Sequence, residues 1–277
     1  MLIAKPRTKR FEPVALPRIG RWLLRGFRRY CLRYVRKHFH ALRLSRSSHP
    51  LPPGNEPILM VLNHPSWWDP LIAAVLCEKF HELSNRDDLV SRATSMAGLF
   101  DHYAAIDAVA AARYAFLQRL GFIGIDTKSL RGAAAFLRIG QSVLAEPGRT
   151  FWVTAQGRFT DVRERPLNLR SGVGHLAARM ERGFVVPLAL EYAFWNERTP
   201  EALVRLGEPI AIAEHPGLNG REWTQRIEDN LTEALDGLNA ESMSRDAVKF
   251  ETLLAGRTGV GGLYDGWRRI MAWLRGR

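Results

Sequence analysis

The chain has 277 residues, of which 46% are hydrophobic and 25% are charged, a composition typical of a globular protein with a sizeable core. Its two cysteines, Cys31 and Cys77, exclude a disulfide framework and a cysteine metal cluster, and they suit a reducing compartment. No run approaches eighteen apolar residues, so we expect no transmembrane helix, and the basic N-terminus lacks the apolar core of a signal peptide.

The net charge of +12 is concentrated at the N-terminus, where residues 1–46 hold fourteen Lys or Arg and one Glu. Within this segment, residues 18–44 carry apolar side chains at three- and four-residue spacing with arginines between them, which predicts an amphipathic helix. An aromatic stripe opposite a cationic face is typical of a helix lying on an anionic membrane surface. An arginine-rich helix packed on the domain is the alternative, and nucleic acid is a third, less favoured partner.

The remaining chain alternates between strand and helix patterns. Strands are predicted at residues 57–62, 89–94, 122–126, 150–155, 184–192, 203–206 and 210–213. Helices are predicted at residues 70–79, 97–119, 130–145, 172–181 and 222–238. This alternation predicts an α/β fold, with a mostly parallel central sheet covered by helices on both faces and an N-terminal basic amphipathic helix.

Three segments are expected from this pattern. Residues 1–46 form a basic amphipathic membrane-associating arm, and the prolines after them indicate a linker into a main domain of residues 47–258. Residues 259–277 follow a glycine hinge as a short basic amphipathic C-terminal segment, in which tryptophans alternate with arginines.

The most informative residues are a histidine and an aspartate at the first strand-to-helix junction of the main domain. His64 and Asp69 follow the apolar run at residues 57–62 and precede the apolar run at residues 71–76. Open α/β sheets place ligands at the carboxyl ends of their strands. There, a neutral imidazole can take a proton from a hydroxyl, while a carboxylate on its other nitrogen fixes the tautomer. A turn with a capping aspartate is the alternative interpretation.

The same histidine-to-aspartate spacing recurs at His102 and Asp107. These residues lie in an alanine-rich stretch that we predict to be helical. Helix positions five apart point about 140° away from each other, so we expect these two side chains to diverge on a helix surface.

Four stretches carry a family resemblance over roughly residues 50–215. Asn63 to Asp69 resembles the first motif of the lysophospholipid (glycerol-phosphate) acyltransferase family, with its histidine and aspartate intact. The sequences LGFIGID (120–126), VTAQGR (153–158) with RSG (170–172), and VVPL (185–188) are similar to the second, third and fourth motifs.

Two of these motifs depart from the family pattern. Gln156 stands where the third motif normally has Glu, so it keeps an acceptor but loses the charge. The second motif often ends in Arg, but here Asp126 and Thr127 occupy that region and Arg131 is the nearest candidate. The loop 156–171 carries four arginines, Arg158, Arg163, Arg165 and Arg170, which favours anion binding. Together, the resemblance and this loop give the predicted substrate-binding residues Asn63, Arg131, Gln156, Gly157, Arg158 and Arg170.

The resemblance implies a peripheral membrane acyltransferase that moves a fatty acyl group from acyl-CoA or acyl-ACP to a hydroxyl of a lysophospholipid-type acceptor. His64 would be the general base and Asp69 its orienting carboxylate, with no metal or bound cofactor. We expect the protein on the cytoplasmic face of the cell membrane. The motif departures leave two alternatives: acyl transfer to a non-phosphate lipid (an aminolipid or glycolipid), or a non-catalytic membrane-binding scaffold.

Overall fold

The computed structural model of the chain describes residues 12–52, 55–84 and 102–258. The helices of these ranges are α1 (Arg21–His38), α2 (Asp69–Ser84), α3 (Ala108–Arg113), α4 (Leu130–Leu144), α5 (Gly172–Ala177) and α6 (Gly220–Ser244). The strands are β1 (Ala41–Ser45), β2 (Ile58–Leu62), β3 (His102–Asp107), β4 (Phe122–Ile125), β5 (Thr150–Thr154), β6 (Phe184–Ala193), β7 (Glu201–Leu206), β8 (Ile210–Ala211) and β9 (Phe250–Ala255).

The strands form one sheet in the order β4-β3-β5-β2-β6-β7-β1-β9. The short strand β8 lies outside this order and pairs with β6. Neighbouring strands from β4 to β6 are parallel, as are β7 and β1. The pairs β6–β7, β6–β8 and β1–β9 are antiparallel. The predicted mostly parallel sheet is therefore confirmed, and β2 lies at its centre between β5 and β6.

Alternate residues of the central strands face two separate cores. Leu59 and Val61 of β2 pack with buried side chains of α4, α5 and α6 on one face. Met60 and Leu62 pack with α1 and α2 on the other face. A strand buried on both faces reads as a continuous apolar run, which is why ILMVL was recognisable in the sequence. The prediction of helices on both faces is confirmed.

The N-terminal helix is shorter than predicted. The helical pattern expected over residues 18–44 ends at His38, and residues 41–45 form β1 between β7 and β9. Phe39 turns the chain from helix to strand with an extended backbone and a fully buried ring. The boundary predicted at residue 46 thus follows a strand of the central sheet, and the buried side chains Leu24, Cys31 and Val35 pack α1 on the domain.

The helix predicted over residues 97–119 is wrong at residues 102–107, whereas residues 108–113 are helical as predicted. Residues 102–107 are β3, which pairs in parallel with β4 and β5, and α3 follows directly. Backbone hydrogen bonds to two neighbouring strands outweigh the helical preference of alanine. The strand predicted at residues 89–94 and the C-terminal segment 259–277 lie outside the described residues. Strand β9 was not predicted, and α6 extends beyond the helix predicted at 222–238.

Candidate functional site

The candidate site is the turn between β2 and α2. Its first residue, Asn63, is 3% exposed, and its amide both donates to the Leu190 carbonyl and accepts from the Leu190 N–H, each at 2.8 Å. These two bonds tie the end of β2 to β6. Its last residue, Asp69, begins α2, where the partial positive charge of a helix N-terminus favours a carboxylate.

The turn brings His64 and Asp69 together. The imidazole Nδ1 lies 2.6 Å from Asp69 Oδ2, which also accepts from the Ser66 N–H at 3.3 Å. The carboxylate is 1% exposed, whereas the imidazole is 19% exposed. A buried carboxylate at Nδ1 favours the tautomer with its proton there, and Nε2 is then the nitrogen that can take a proton from a hydroxyl.

A third group, Tyr192 of β6, was missed by the sequence analysis. Its hydroxyl donates to the second carboxylate oxygen, Asp69 Oδ1, at 2.7 Å. Burial raises the pKa of Tyr192 well above its ordinary value, and the Asp69 charge raises it further, so the phenol stays protonated. The contact spans 123 residues of sequence, and no local pattern around Tyr192 signals it.

Two residues predicted to bind substrate lie behind the turn instead. Gln156 is 5% exposed; its Oε1 accepts the His64 N–H at 3.0 Å, and its Nε2 donates to the Leu167 carbonyl at 3.5 Å. The Asn63 amide is likewise hydrogen-bonded to the Leu190 backbone. Both amides hydrogen-bond to backbone groups and hold the turn, and neither residue is among those that line the cavity beside it.

Gly157 and Arg170 lie together at the wall of the cavity beside the turn. Gly157 has a φ of +65°, and a Cβ there would overlap the Arg170 side chain, so both the backbone conformation and the close side chain favour glycine. Arg170 Nη1 donates to the Thr127 carbonyl at 2.9 Å. The guanidinium thus bridges the third-motif loop and the turn before α4.

The other loop arginines are paired with carboxylates. Arg158, which also lines the cavity, pairs with Glu164. Arg163 lies 2.8 Å from Asp161, and Arg165 Nε donates to Asp236 of α6 at 3.0 Å. Of the four arginines whose presence favoured anion binding by this loop, Arg163 and Arg165 thus hold the loop through carboxylate partners. The predicted binding residue Arg131 is exposed on α4 and is not among the residues lining the cavity.

The second histidine-aspartate match has structural roles. His102 and Asp107 lie on strand β3, so they diverge because strand residues five apart face opposite sides of the sheet, not because of a helix. His102 Nδ1 accepts from the Trp152 indole at 3.1 Å, and Asp107 caps α3 by accepting from the N–H groups of Val109 and Ala110.

A cavity of about 930 Å³ opens beside His64 and Asp69. Its walls are largely apolar and come from α1, α2, β3, β4, α4 and β5. Representative lining residues are Leu24, Phe27, Ala74, Ile106, Phe136 and Val153. The charged Arg158 and Arg170 line it as well. The site can therefore hold a long apolar group with a polar end beside the imidazole.

Two exposed aromatic side chains flank the turn between β2 and α2. Phe159 is 58% exposed, and its ring centroid lies 4.3 Å from that of His64. Trp67 is also 58% exposed and lines the cavity. Trp68, however, packs against Phe39 and Tyr192. Large exposed rings at the entrance of an apolar cavity are typical of a binding surface.

The sequence matches the model of the acyltransferase family over residues 39–191, a range that contains all the predicted site residues. No curated protein matches the chain. The fold is similar to that of the 1-acyl-sn-glycerophosphate (LPA) acyltransferase PlsC from Thermotoga maritima, with a TM-score of 0.51 and 10% sequence identity. The similarity covers 79% of this chain and 81% of the Thermotoga chain, and at this identity it concerns the fold.

Proposed function

The chain belongs to the acyltransferase family, and we propose that it moves a fatty acyl group from acyl-CoA or acyl-ACP to a hydroxyl of a lysophospholipid-type acceptor. The observation that carries this proposal is the 2.6 Å contact between His64 Nδ1 and Asp69 Oδ2 at the mouth of an apolar cavity. The structurally similar Thermotoga protein is an LPA acyltransferase, which supports the same class of acceptor.

In the proposed reaction, His64 Nε2 takes the proton of the acceptor hydroxyl while Asp69 stabilises the imidazolium that forms. The hydroxyl oxygen attacks the thioester carbonyl, and the tetrahedral intermediate collapses with cleavage of the carbon–sulfur bond. The imidazolium returns its proton to the leaving thiolate, so the products are an ester and a free thiol. Every proton step uses the same imidazole, and neither an acyl-enzyme nor a metal is required.

The cavity suits the acyl chains of such substrates. Its volume of about 930 Å³ is at the upper end of the range for ligand pockets, roughly 300–1,000 Å³, and its walls are mainly hydrocarbon. Helix α1 contributes Leu24 and Phe27, and α2 contributes Ala73 and Ala74. We assign the acyl chain to this space, with the reacting carbonyl at His64.

The acceptor headgroup is assigned to the polar end of the cavity. A guanidinium binds a phosphate with two parallel hydrogen bonds, and Arg170 and Arg158 both line the cavity. This favours a phosphate-bearing acceptor. A different acceptor, a lipid with an amine or an uncharged headgroup, is favoured by Asp126, which also lines the cavity, and by the pairing of Arg158 with Glu164.

We place the protein on the cytoplasmic face of the cell membrane as a peripheral protein. None of the described helices is long and apolar enough to cross a bilayer. Helix α1 exposes Trp22 and Tyr30, at 83% and 54%, beside several exposed basic residues. Together with Trp67, these rings form a surface suited to anionic lipid head groups.

Acyl transfer is tested by mixing the purified protein with acyl-CoA or acyl-ACP and measuring free thiol. Each donor is supplied with lysophosphatidic acid, with an uncharged monoacyl lipid, or with no acceptor. We expect thiol release only with an acceptor, and its loss in His64→Ala. Release without acceptor indicates a thioesterase, and no release with any pair supports the non-catalytic scaffold.

Membrane binding is tested separately with vesicles that contain anionic lipid. Neutralising the exposed Arg29, Arg33 and Arg36 by Gln should weaken binding about 100-fold, at roughly 1 kcal/mol per charge near the surface. The control replaces Arg221 and Arg226, exposed on α6, in the same way. If both variants bind the vesicles as tightly as the original protein, α1 is not the surface that binds the membrane.

A further inference from the structure

Strand β6 supports the catalytic turn at both of its ends. The Leu190 backbone holds the Asn63 side-chain amide through two hydrogen bonds, and Tyr192, two residues further along, holds Asp69 through its hydroxyl. We propose that Tyr192 is a positioning residue that fixes the plane and the charge of the Asp69 carboxylate behind His64. This inference rests on the proposed acyl transfer and adds a third member to its catalytic pair.

The carboxylate depends on this hydroxyl because it is almost completely removed from water. Asp69 is 1% exposed, and a buried charge is costly unless hydrogen-bond donors surround it. Among the described residues, its donors come from His64, Ser66 and Tyr192, and Tyr192 is the one on Oδ1. Removing the hydroxyl therefore leaves one oxygen of a buried anion without its donor.

The tyrosine ring is itself held in place. Trp68 packs edge-on against it with ring centroids 5.3 Å apart, and Phe39 lies 5.8 Å away on another side. Phe39 and Trp68 also contact each other, at 4.9 Å. Because interiors of this kind are close-packed, the phenol oxygen is directed at Asp69 before any substrate binds.

Tyr192 does not line the cavity, so Tyr192→Phe should leave substrate binding intact. Because the plane of the Asp69 carboxylate is no longer fixed behind His64, we expect kcat to fall about tenfold, equivalent to about 1.4 kcal/mol, with KM nearly unchanged. The phenol dipole partly compensates the negative charge of Asp69. Its removal leaves more of that charge for the imidazolium, so the protonation midpoint of His64 should move to higher pH.

Other charges around the cavity also act on His64. The ionisable side chains that line the cavity with His64 and Asp69 are Arg28, His102, Asp107, Asp126, Arg158, Arg170 and His175. All of them are common to the original protein and the variant. A difference between the two midpoints therefore isolates the Tyr192 hydroxyl.

The experiment compares the original protein, Tyr192→Phe, Asp69→Ala and the double variant. Transfer kinetics are measured alongside an NMR titration of the His64 ring without substrate. If the hydroxyl acts through Asp69, Tyr192→Phe should cost less than about twofold in the Asp69→Ala background. Tyr114→Phe, at an exposed tyrosine after α3, is the matched control and should leave both readouts unchanged.

The outcomes separate this inference from the proposed function. An unchanged kcat and an unchanged His64 midpoint in Tyr192→Phe overturn the positioning role, as does a tenfold loss that is fully retained in the double variant. A melting curve verifies that each variant is folded. If the original protein shows no transfer but the His64 midpoint still moves, the acyl-transfer proposal fails while the coupling of Tyr192 to His64 stands.

Discussion

Replacing Asp69 by Asn separates the charge of this residue from its geometry. The amide has nearly the same shape, and the Ser66 N–H, 3.3 Å from Oδ2, favours keeping an oxygen at that position. The amide nitrogen then faces the Tyr192 hydroxyl, which can turn and accept from it. The His64 ring therefore keeps its tautomer, and the variant loses mainly the negative charge beside the imidazole.

The size of this loss follows from the contact distance. The Nδ1 to Oδ2 separation of 2.6 Å places the centres of the two charges about 4 Å apart, and at an effective dielectric constant of about 20 their attraction is about 4 kcal/mol. This attraction exists only when the imidazolium has formed, so it lowers the barrier rather than the energy of the bound substrate. We expect kcat to fall about 10³-fold in Asp69→Asn, with KM little changed.

The assay follows release of the thiol from acyl-CoA in the presence of a saturating lysolipid. Asp246→Asn is the matched control, because this aspartate also caps a helical turn, before β9, and lies outside the site. Activity of Asp69→Asn within tenfold of the original protein would refute the role given to the Asp69 charge. A loss above about 10⁴-fold would instead indicate that the amide reverses the imidazole tautomer.

Three further predictions concern the cavity and the buried thiols. Arg170→Ala should raise the KM for a phosphate-bearing acceptor about tenfold more than it lowers kcat. The Arg163 charge is paired with Asp161, so Arg163→Ala should leave the kinetics unchanged. Equal effects of Arg170→Ala on charged and uncharged acceptors would contradict this. Ala74→Phe should fill part of the cavity and shift the preferred donor toward shorter acyl chains, and an unchanged chain-length profile would place the acyl chain elsewhere. Burial raises the pKa of Cys31 and of Cys77 to about 12, so at pH 8 only about 10⁻⁴ of each thiol is ionised, and the folded protein should react with a disulfide reagent only after unfolding.

The parts of the fold that could be predicted are those whose signal is local. The five-residue run of β2 and the apolar start of α2 flank the turn, so the position of His64 and Asp69 at a strand-to-helix junction followed from the sequence. Strand β1 carried no such signal, because it is fixed by pairing with β7 and β9, about 160 and 210 residues away. Alanine-rich β3 was misread for the same reason.

Within the site, the sequence motifs predicted which residues lie close together but not how their side chains are oriented. The sequence placed Asn63, Gln156 and His64 in one region, and the structure brings them together. The sequence could not show that both amides face backbone groups behind the turn. That orientation depends on the Leu190 carbonyl and the His64 N–H, which take the amides as partners instead of a neighbouring strand. The pairing of Arg165 likewise depends on Asp236 of α6, which lies 71 residues away in the sequence.

Phe39 links the N-terminal helix to the catalytic turn. It ends α1, its ring is fully buried, and it packs against Trp68 and Tyr192 directly behind Asp69. Close-packed interiors transmit displacements, so a tilt of α1 on a membrane would reach the carboxylate through these rings. Deleting residues 1–46 would remove this support, strand β1 and one wall of the cavity together. Only substitutions on the exposed side of α1 can therefore separate membrane attachment from the assembly of the catalytic site.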